Sequence, residues 1–183
     1  MEHNNNNRGP RRERPERPVS DMFERVIQVN RVSKKTKGGD KRSLSVIVVV
    51  GDRQGRVGVG LGKAADVQSA VAKATTKAKR QLITIPLKDN RTIAHEVYVK
   101  QGAAKILIKP APSGTGVIAG GAVRVIAEAA GVKDVVAKIL GTKNKASNVH
   151  AALEGFSRLK PARVVEEKIK AEIEKAVEIA EEK

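Results

Sequence analysis

Gly58, Gly60 and Gly62 alternate with Val57, Val59 and Leu61 and run straight into Lys63 (RVGVGLGKA, residues 56–64). A glycine run that ends in lysine is raw material for a phosphate cradle, because bare backbone N–H groups and one cation can surround an anionic oxygen. Two nucleotide motifs test that chemistry. A P-loop requires GxxxxGK followed by Ser or Thr, but Gly62-Lys63 precedes Ala64, and the residue five before Gly62 is Val57. A dinucleotide fingerprint fits locally from Gly60 to Ala65 as GxGxxA, yet no Asp or Glu lies between Asp66 and Asp89 to hold a ribose. The strand before it also belongs to a hairpin and not to a βαβ unit, so an enzyme using Gly60 to Ala65 is the weakest reading. The three histidines, His3, His95 and His150, are scattered, cysteine is absent, and no Ser-His-Asp set, carboxylate pair or metal cluster is spaced for catalysis. We expect no cofactor, no metal and no enzymatic activity.

Phosphate chemistry of another kind fits the charge. The formal net charge is +16, with 14 basic against 5 acidic residues over 21–86 and 12 against 5 over 87–160. A basic excess on the folded middle of a chain calls for a polyanionic partner, with nucleic acid first among candidates. The candidate phosphate contacts fall into groups along the chain. Arg25 and Arg31 lie on an apolar-polar stretch, and Ser33, Lys34, Lys35, Lys37, Lys41 and Arg42 surround Gly38-Gly39. Arg53, Arg56 and Lys63 follow, then Lys73, Lys77 and Arg80 on one side of a helical segment, then Lys143 and Lys145 in a polar loop. No apolar run reaches the ~18 residues of a membrane span. The opening MEHNNNNRGPRRERPERP lacks the apolar core of a secretory signal, so the expected location is the cytoplasm.

The elements that position these cations follow from periodicity. Met22 to Val32 mixes apolar and polar residues and predicts a half-buried strand, and Ser33 to Arg42 predicts a basic loop. Leu44 to Val50 and Arg56 to Gly62, joined by turn residues 51–55, predict a hairpin. A period of two places the three glycines on one face, a bare stripe that suits either a closely packed helix or an RNA backbone. Ala65 to Leu82 sets Val67, Ala70, Val71, Ala74 and Ala78 at helical spacing, and its N-terminus beside Lys63 is a further candidate for an anion. Ile85-Pro86-Leu87 closes this module.

A second module predicts strands over Thr92 to Lys100 and Ala104 to Lys109, with His95 as a surface or structural residue. A glycine-rich loop over Pro110 to Gly121 leads into a helix over Ala122 to Ala130; its glycines suit a tight connection, a protein contact or a phosphate cradle. Val132 to Leu140 predicts a strand and Val149 to Leu159 a helix. Residues 1–20 show no apolar periodicity and predict disorder in the free chain. Val164 to Ala180 predicts a helix laced with pairs such as Glu166–Lys170, whose acidic balance suits solvent or a basic protein.

The stretches NRVSKKTKGGDKRSLSVIVVVGDRQGRVGVGLGKAADVQSAVAKA (30–74) and GTGVIAGGAVRVI (114–126) closely resemble bacterial small-subunit ribosomal protein five, and the resemblance runs from about Met22 to Leu159. It implies an α+β fold: a three-stranded sheet plus helix akin to double-stranded-RNA-binding domains, then a C-terminal α+β domain with a left-handed βαβ crossover. The implied organisation is a disordered basic tail (1–20), the RNA-binding-like domain (21–87), the C-terminal domain (88–160) and a helical tail (161–183). The implied partners are small-subunit rRNA and small-subunit proteins four and eight, close to the path by which mRNA enters, with no membrane. The implied role is structural: head held to body, and a share in translational accuracy. Gly114, Gly116, Gly120, Gly121 and Arg124 match the segment near protein four, and Ser33 to Arg42 matches the hairpin that reaches RNA near the spectinomycin site. Three positions depart from the family's habit: Asp40 stands for a basic residue, Leu44 for an aromatic one and Lys145 for proline. An acid at 40 beside phosphate requires compensation, for which Lys41 and Arg42 are the near candidates. The low aromatic content, 2%, disfavours base stacking as the main mode. A general nucleic-acid binder acting outside the ribosome is the alternative, and equal affinity for duplex DNA would mark it.

Overall fold

The computed structural model describes residues 22–161, so the expectations for 1–20 and for a helix over 164–180 lie outside the described residues. Strands β1 (Phe23–Thr36), β2 (Gly39–Gly51), β3 (Arg56–Ala64) and β4 (Leu82–Thr84) form an antiparallel sheet in the order β1-β2-β3-β4. Helix α1 (Val67–Arg80) joins β3 to β4. Its start is fixed by Asp66, whose carboxylate accepts the N–H of Gln68 at 3.2 Å, and its last turn carries Lys77, Lys79 and Arg80, which suits the negative end of the helix dipole. The sheet has four strands where three were expected, because Leu82–Thr84 is a three-residue strand with no pattern of its own, added at the edge opposite Arg56–Gly58.

The second half begins with a two-stranded pair, β5 (Leu87–Lys88) and β6 (Thr92–Ile93). Strands β7 (Val97–Gln101), β8 (Ala104–Pro110), β9 (Val117–Ile118) and β10 (Val135–Ile139) build a sheet in the order β7-β8-β10-β9. Helix α2 (Gly121–Ala130) links the parallel neighbours β9 and β10, and α3 (Lys145–Ser157) is the last element among the described residues. The strand expected over Thr92 to Lys100 is therefore two strands broken at 94–96. The expected loop over 141–148 holds the first turn of α3, which Asn144 caps by accepting the N–H of Ala146 at 3.1 Å.

Register decides what the glycine stripe does. Val46, Val48 and Val50 lie opposite Gly62, Gly60 and Gly58, and this face packs on Ala70, Ala74 and Ala78 of α1. A Cβ on Gly60 would stand 2.0 Å from the carbonyl oxygen of Ala74, and one on Gly62 2.2 Å from that of Ala70. The stripe serves the helix. The opposite face, with Ile47, Val49, Val57 and Val59, shares one core with Ile106, Val123, Ile126 and Phe156 of the second half. Backbone bonds seal the junction: the N–H of Arg53 donates to Ala129 at 3.0 Å and that of Gly55 to Ala130 at 2.8 Å.

Gly60→Ala is expected to destabilise the protein by roughly 1–3 kcal/mol or more, because its clash is with helix backbone and not with a movable side chain. Gly38→Ala, which has nothing within 4 Å, should stay within about 0.5 kcal/mol of wild type. Urea unfolding of both variants checks the contrast.

Candidate nucleic-acid interface

The basic segment after β1 is a ladder and not a loop. Ser33 pairs Arg42, Lys34 pairs Lys41, Lys35 pairs Asp40 and Thr36 pairs Gly39, leaving only Lys37 and Gly38 at the tip. The tip closes with the Thr36 hydroxyl donating to the Gly39 carbonyl at 2.7 Å, and Gly39 takes φ +121°, a region open to glycine. Opposed residues share a face and successive ones alternate. Arg31, Ser33, Lys35, Asp40 and Arg42 therefore lie on one side, and Lys34 and Lys41 on the other.

The two sides differ electrostatically. Lys35 Nζ reaches the Asp40 carboxylate at 3.0 and 3.1 Å, so Lys35, and not Lys41 or Arg42, neutralises the acid. Lys34 and Lys41 oppose each other across the ladder, both exposed and with no ion pair among the described residues. Like charges so placed destabilise a strand pair unless an anion lies between them. Arg31, Lys37 and Arg42 add three more exposed cations to the same arm.

Other expected contacts are spent within the fold. Arg25 Nη1 donates to Glu128 of α2 at 2.7 Å, and the Arg53 guanidinium sits 4.7 Å from the centre of the Phe23 ring. Arg56 Nε donates to Asp52 at 2.7 Å. Burial pushes the Asp52 carboxyl up, but hydrogen bonds from the Arg56 side chain and from the N–H groups of Gln54 and Arg56 outweigh it and hold it below the usual range. The anion site expected at the start of α1 is already filled by the Asp66 carboxylate, which would repel a phosphate. Lys63 remains exposed beside it, and Lys73, Lys77 and Arg80 remain exposed on α1. Lys143 and Lys145 line a cleft of about 580 Å³ between the halves, with Val26 and Ile27 on one wall and Gly121 and Val125 on another.

The glycine-rich loop is held by a residue that the sequence reading missed. Asp134 is 2% exposed; its Oδ1 accepts the N–H groups of Gly114 (3.0 Å) and Gly116 (2.9 Å), and its Oδ2 accepts Arg91 Nε at 3.2 Å. The Gly116 N–H is the largest influence holding the Asp134 carboxyl below the usual range; burial opposes it, and Arg91 and Gly114 reinforce it. Gly114 and Gly116 take φ of +93° and +75°, which explains glycine at both. At Gly120 a Cβ would stand 2.8 Å from the Cδ1 of Ile139, a side-chain end that can turn aside, and Gly121 is open. Arg124 folds back, its Nη2 donating to the Val117 carbonyl at 2.9 Å. Among the described residues no group of His, Asp or Glu is placed to hold a metal ion, and no helix is long and apolar enough to cross a membrane.

Residues 22–86 match the family model described as "Ribosomal protein S5, N-terminal domain", and residues 99–169 match "Ribosomal protein S5, C-terminal domain". The protein named "Small ribosomal subunit protein uS5" from a Ruegeria species is 45% identical over 165 residues, covering 90% of this chain and 87% of the relative. Its namesake from Thermosynechococcus vestitus is 46% identical over 170 residues, 93% of this chain and 96% of that one. "Small ribosomal subunit protein uS5c" of Emiliania huxleyi is 47% identical over 137 residues, 75% of this chain and 86% of its own.

Asp134→Asn keeps the shape of the side chain and removes its charge. A carboxyl whose folded-state pKa is lowered stabilises the fold above its ordinary pKa and loses that contribution as pH falls and it protonates. Wild type should therefore melt above the variant at neutral pH, and the gap should close as pH drops below the ordinary aspartate value of 3.8. Thermal melts across that range decide it; a gap independent of pH would mean that the charge does not hold the loop.

Proposed function

The chain belongs to the ribosomal protein S5 family, structural constituents of the small ribosomal subunit and not enzymes, and we propose that it works there by laying the β1–β2 arm along phosphates of small-subunit rRNA. The observation that carries this reading is the opposition of Lys34 and Lys41 with no acid between them. Such a pair is unfavourable in solvent and favourable around a polyanion. The arm reads phosphates and groove shape and not base edges, as binders of structured RNA do. On the same reading the loop from Gly114 to Arg124 meets small-subunit protein four, and protein eight is a second neighbour. The chain braces the head of the cytoplasmic small subunit against its body, beside the path by which mRNA enters, and contributes to translational accuracy.

Filter binding of the full chain to small-subunit rRNA across a series of KCl concentrations tests the arm. Lys34→Ala and Lys37→Ala should each lower the slope of log affinity against log salt by about 0.7–0.9, the value of one released counterion. Asp40→Asn, which frees Lys35, should steepen it by about the same amount. Slopes that match wild type in all three variants would sink the role of the arm.

A further inference from the structure

The sheet of the second half has one face against α2 and α3 and one face open. Alternation turns Val99, Ile106, Ile108 and Ala137 inward, where all are buried, and sends their neighbours outward. Register arranges the outward set in rows. Lys100 stands opposite Lys105; Tyr98 stands opposite Leu107, which stands opposite Lys138; and Lys109 stands opposite Val136. Of these four lysines, all exposed, Lys109 is paired with Glu96 at 3.1 Å, and the other three have no acidic partner among the described residues. With strands about 4.8 Å apart and a rise of about 3.4 Å per residue, the three unpaired stems root within roughly 12 Å of one another.

An antiparallel sheet can turn a polar face to water, but this face is not simply polar. Tyr98, Ile118 and Val136, three of the nine large apolar residues left exposed among the described residues, lie on it. Tyr98 is the chain's sole tyrosine, is 54% exposed and stands in the row between the lysines. Lys100 against Lys105 repeats, in the other half of the molecule, the like-charge opposition of the arm. An apolar patch among unpaired cations marks a contact surface.

We infer that this open face is a second RNA surface, which takes an unpaired stretch of RNA with phosphates on Lys100, Lys105 and Lys138 and one base stacked on Tyr98. A flat sheet with an exposed aromatic ring suits stacking, which tolerates any base, and the flanking ammonium groups suit the backbone. Charge complementarity favours RNA over an acidic protein helix: two of the three unpaired cations, Lys100 and Lys105, are directly opposed two residues along the strands from the Tyr98 row, a spacing that suits successive phosphates beside a stacked base. The inference rests on rRNA being the partner, but its residues and its chemistry are separate from those of the arm.

The test is the same salt series with full-length chain and small-subunit rRNA, on two further variants. Lys100→Gln/Lys105→Gln/Lys138→Gln should lower the slope by about 2, the single-strand value for three phosphates. Tyr98→Leu should weaken binding roughly 5- to 150-fold at fixed salt and leave the slope unchanged. If the glutamine variant melts well below wild type, the same lysines replaced by Thr, a better strand former, take its place. Wild-type binding by both variants, while the arm variants lose slope, would overturn this surface and leave the arm standing. Unchanged RNA binding together with loss of retention in small-subunit particles would also overturn it, and would assign the face to a protein. Failure of the wild-type chain to bind rRNA at all would remove both readings.

Discussion

Three absent Cβ atoms set the distance between α1 and the first sheet. With glycine at 58, 60 and 62, the carbonyl oxygens of Ala78, Ala74 and Ala70 occupy the space where side chains would stand. The small faces then pack backbone on backbone, an approach that larger residues forbid. Because α1 closes one face so tightly and the second half closes the other, Val46 to Val50 are buried in succession, which is why that stretch reads as a continuous apolar run and not as an alternation. The same constraint defines where the sheet stops being covered. β3 ends at Ala64, opposite Leu44, so the β1–β2 ladder beyond that point has no third strand. Five residue pairs, roughly 17 Å of ladder, project from the body as a bare two-stranded arm.

A bare ladder must be stabilised from outside or carry its own pairs, and this one does both on different sides. The Lys35–Asp40 pair is exposed and is worth at most about 1 kcal/mol. Its larger effect is on charge, since it cancels the acid that the arm would otherwise present to a phosphate. The arginines nearer the body follow another logic. Arg25, Arg53 and Arg56 are spent on Glu128, the Phe23 ring and Asp52, at or next to the seam between the halves. Basic charge among the described residues is thus sorted by position: arginines next to the seam are spent within the fold, and the cations of the arm reach outward.

That sorting was only partly legible in the sequence. The β-branched runs, the alternation over 56–62 and the small-residue spacing of α1 carry their own periods, and each element is where those periods place it. The stretch SKKTKGGDKR carries none, because a ladder with water on both faces has no apolar side to betray its alternation. The glycine stripe was visible, but period two tells which face is bare and not what covers it. Asp134 gave no signal at all: its partners at 91, 114 and 116 come together only through the β9–α2–β10 crossover and the β5–β6 turn. The sequence reading did not take Asp66 as a cap, and its consequence for anion binding at α1 follows only once its carboxylate is seen on the Gln68 N–H.

The charge pattern of the arm depends on a single irregularity far from its tip. The register slips by one residue between Val26 and Gln28, leaving Ile27 as a bulge on β1. Carried through without that slip, the pairing of Val26 with Val48 would set Lys34 against Asp40 and Ser33 against Lys41, and the arm would hold no opposed lysines. The bulge is itself anchored, since Ile27 packs against the core shared by the two halves. One apolar side chain seated in the body therefore decides which cations meet about 24 Å further along the arm. The lysine opposition of the arm is thus a consequence of core packing, transmitted by the period-two geometry of the strands.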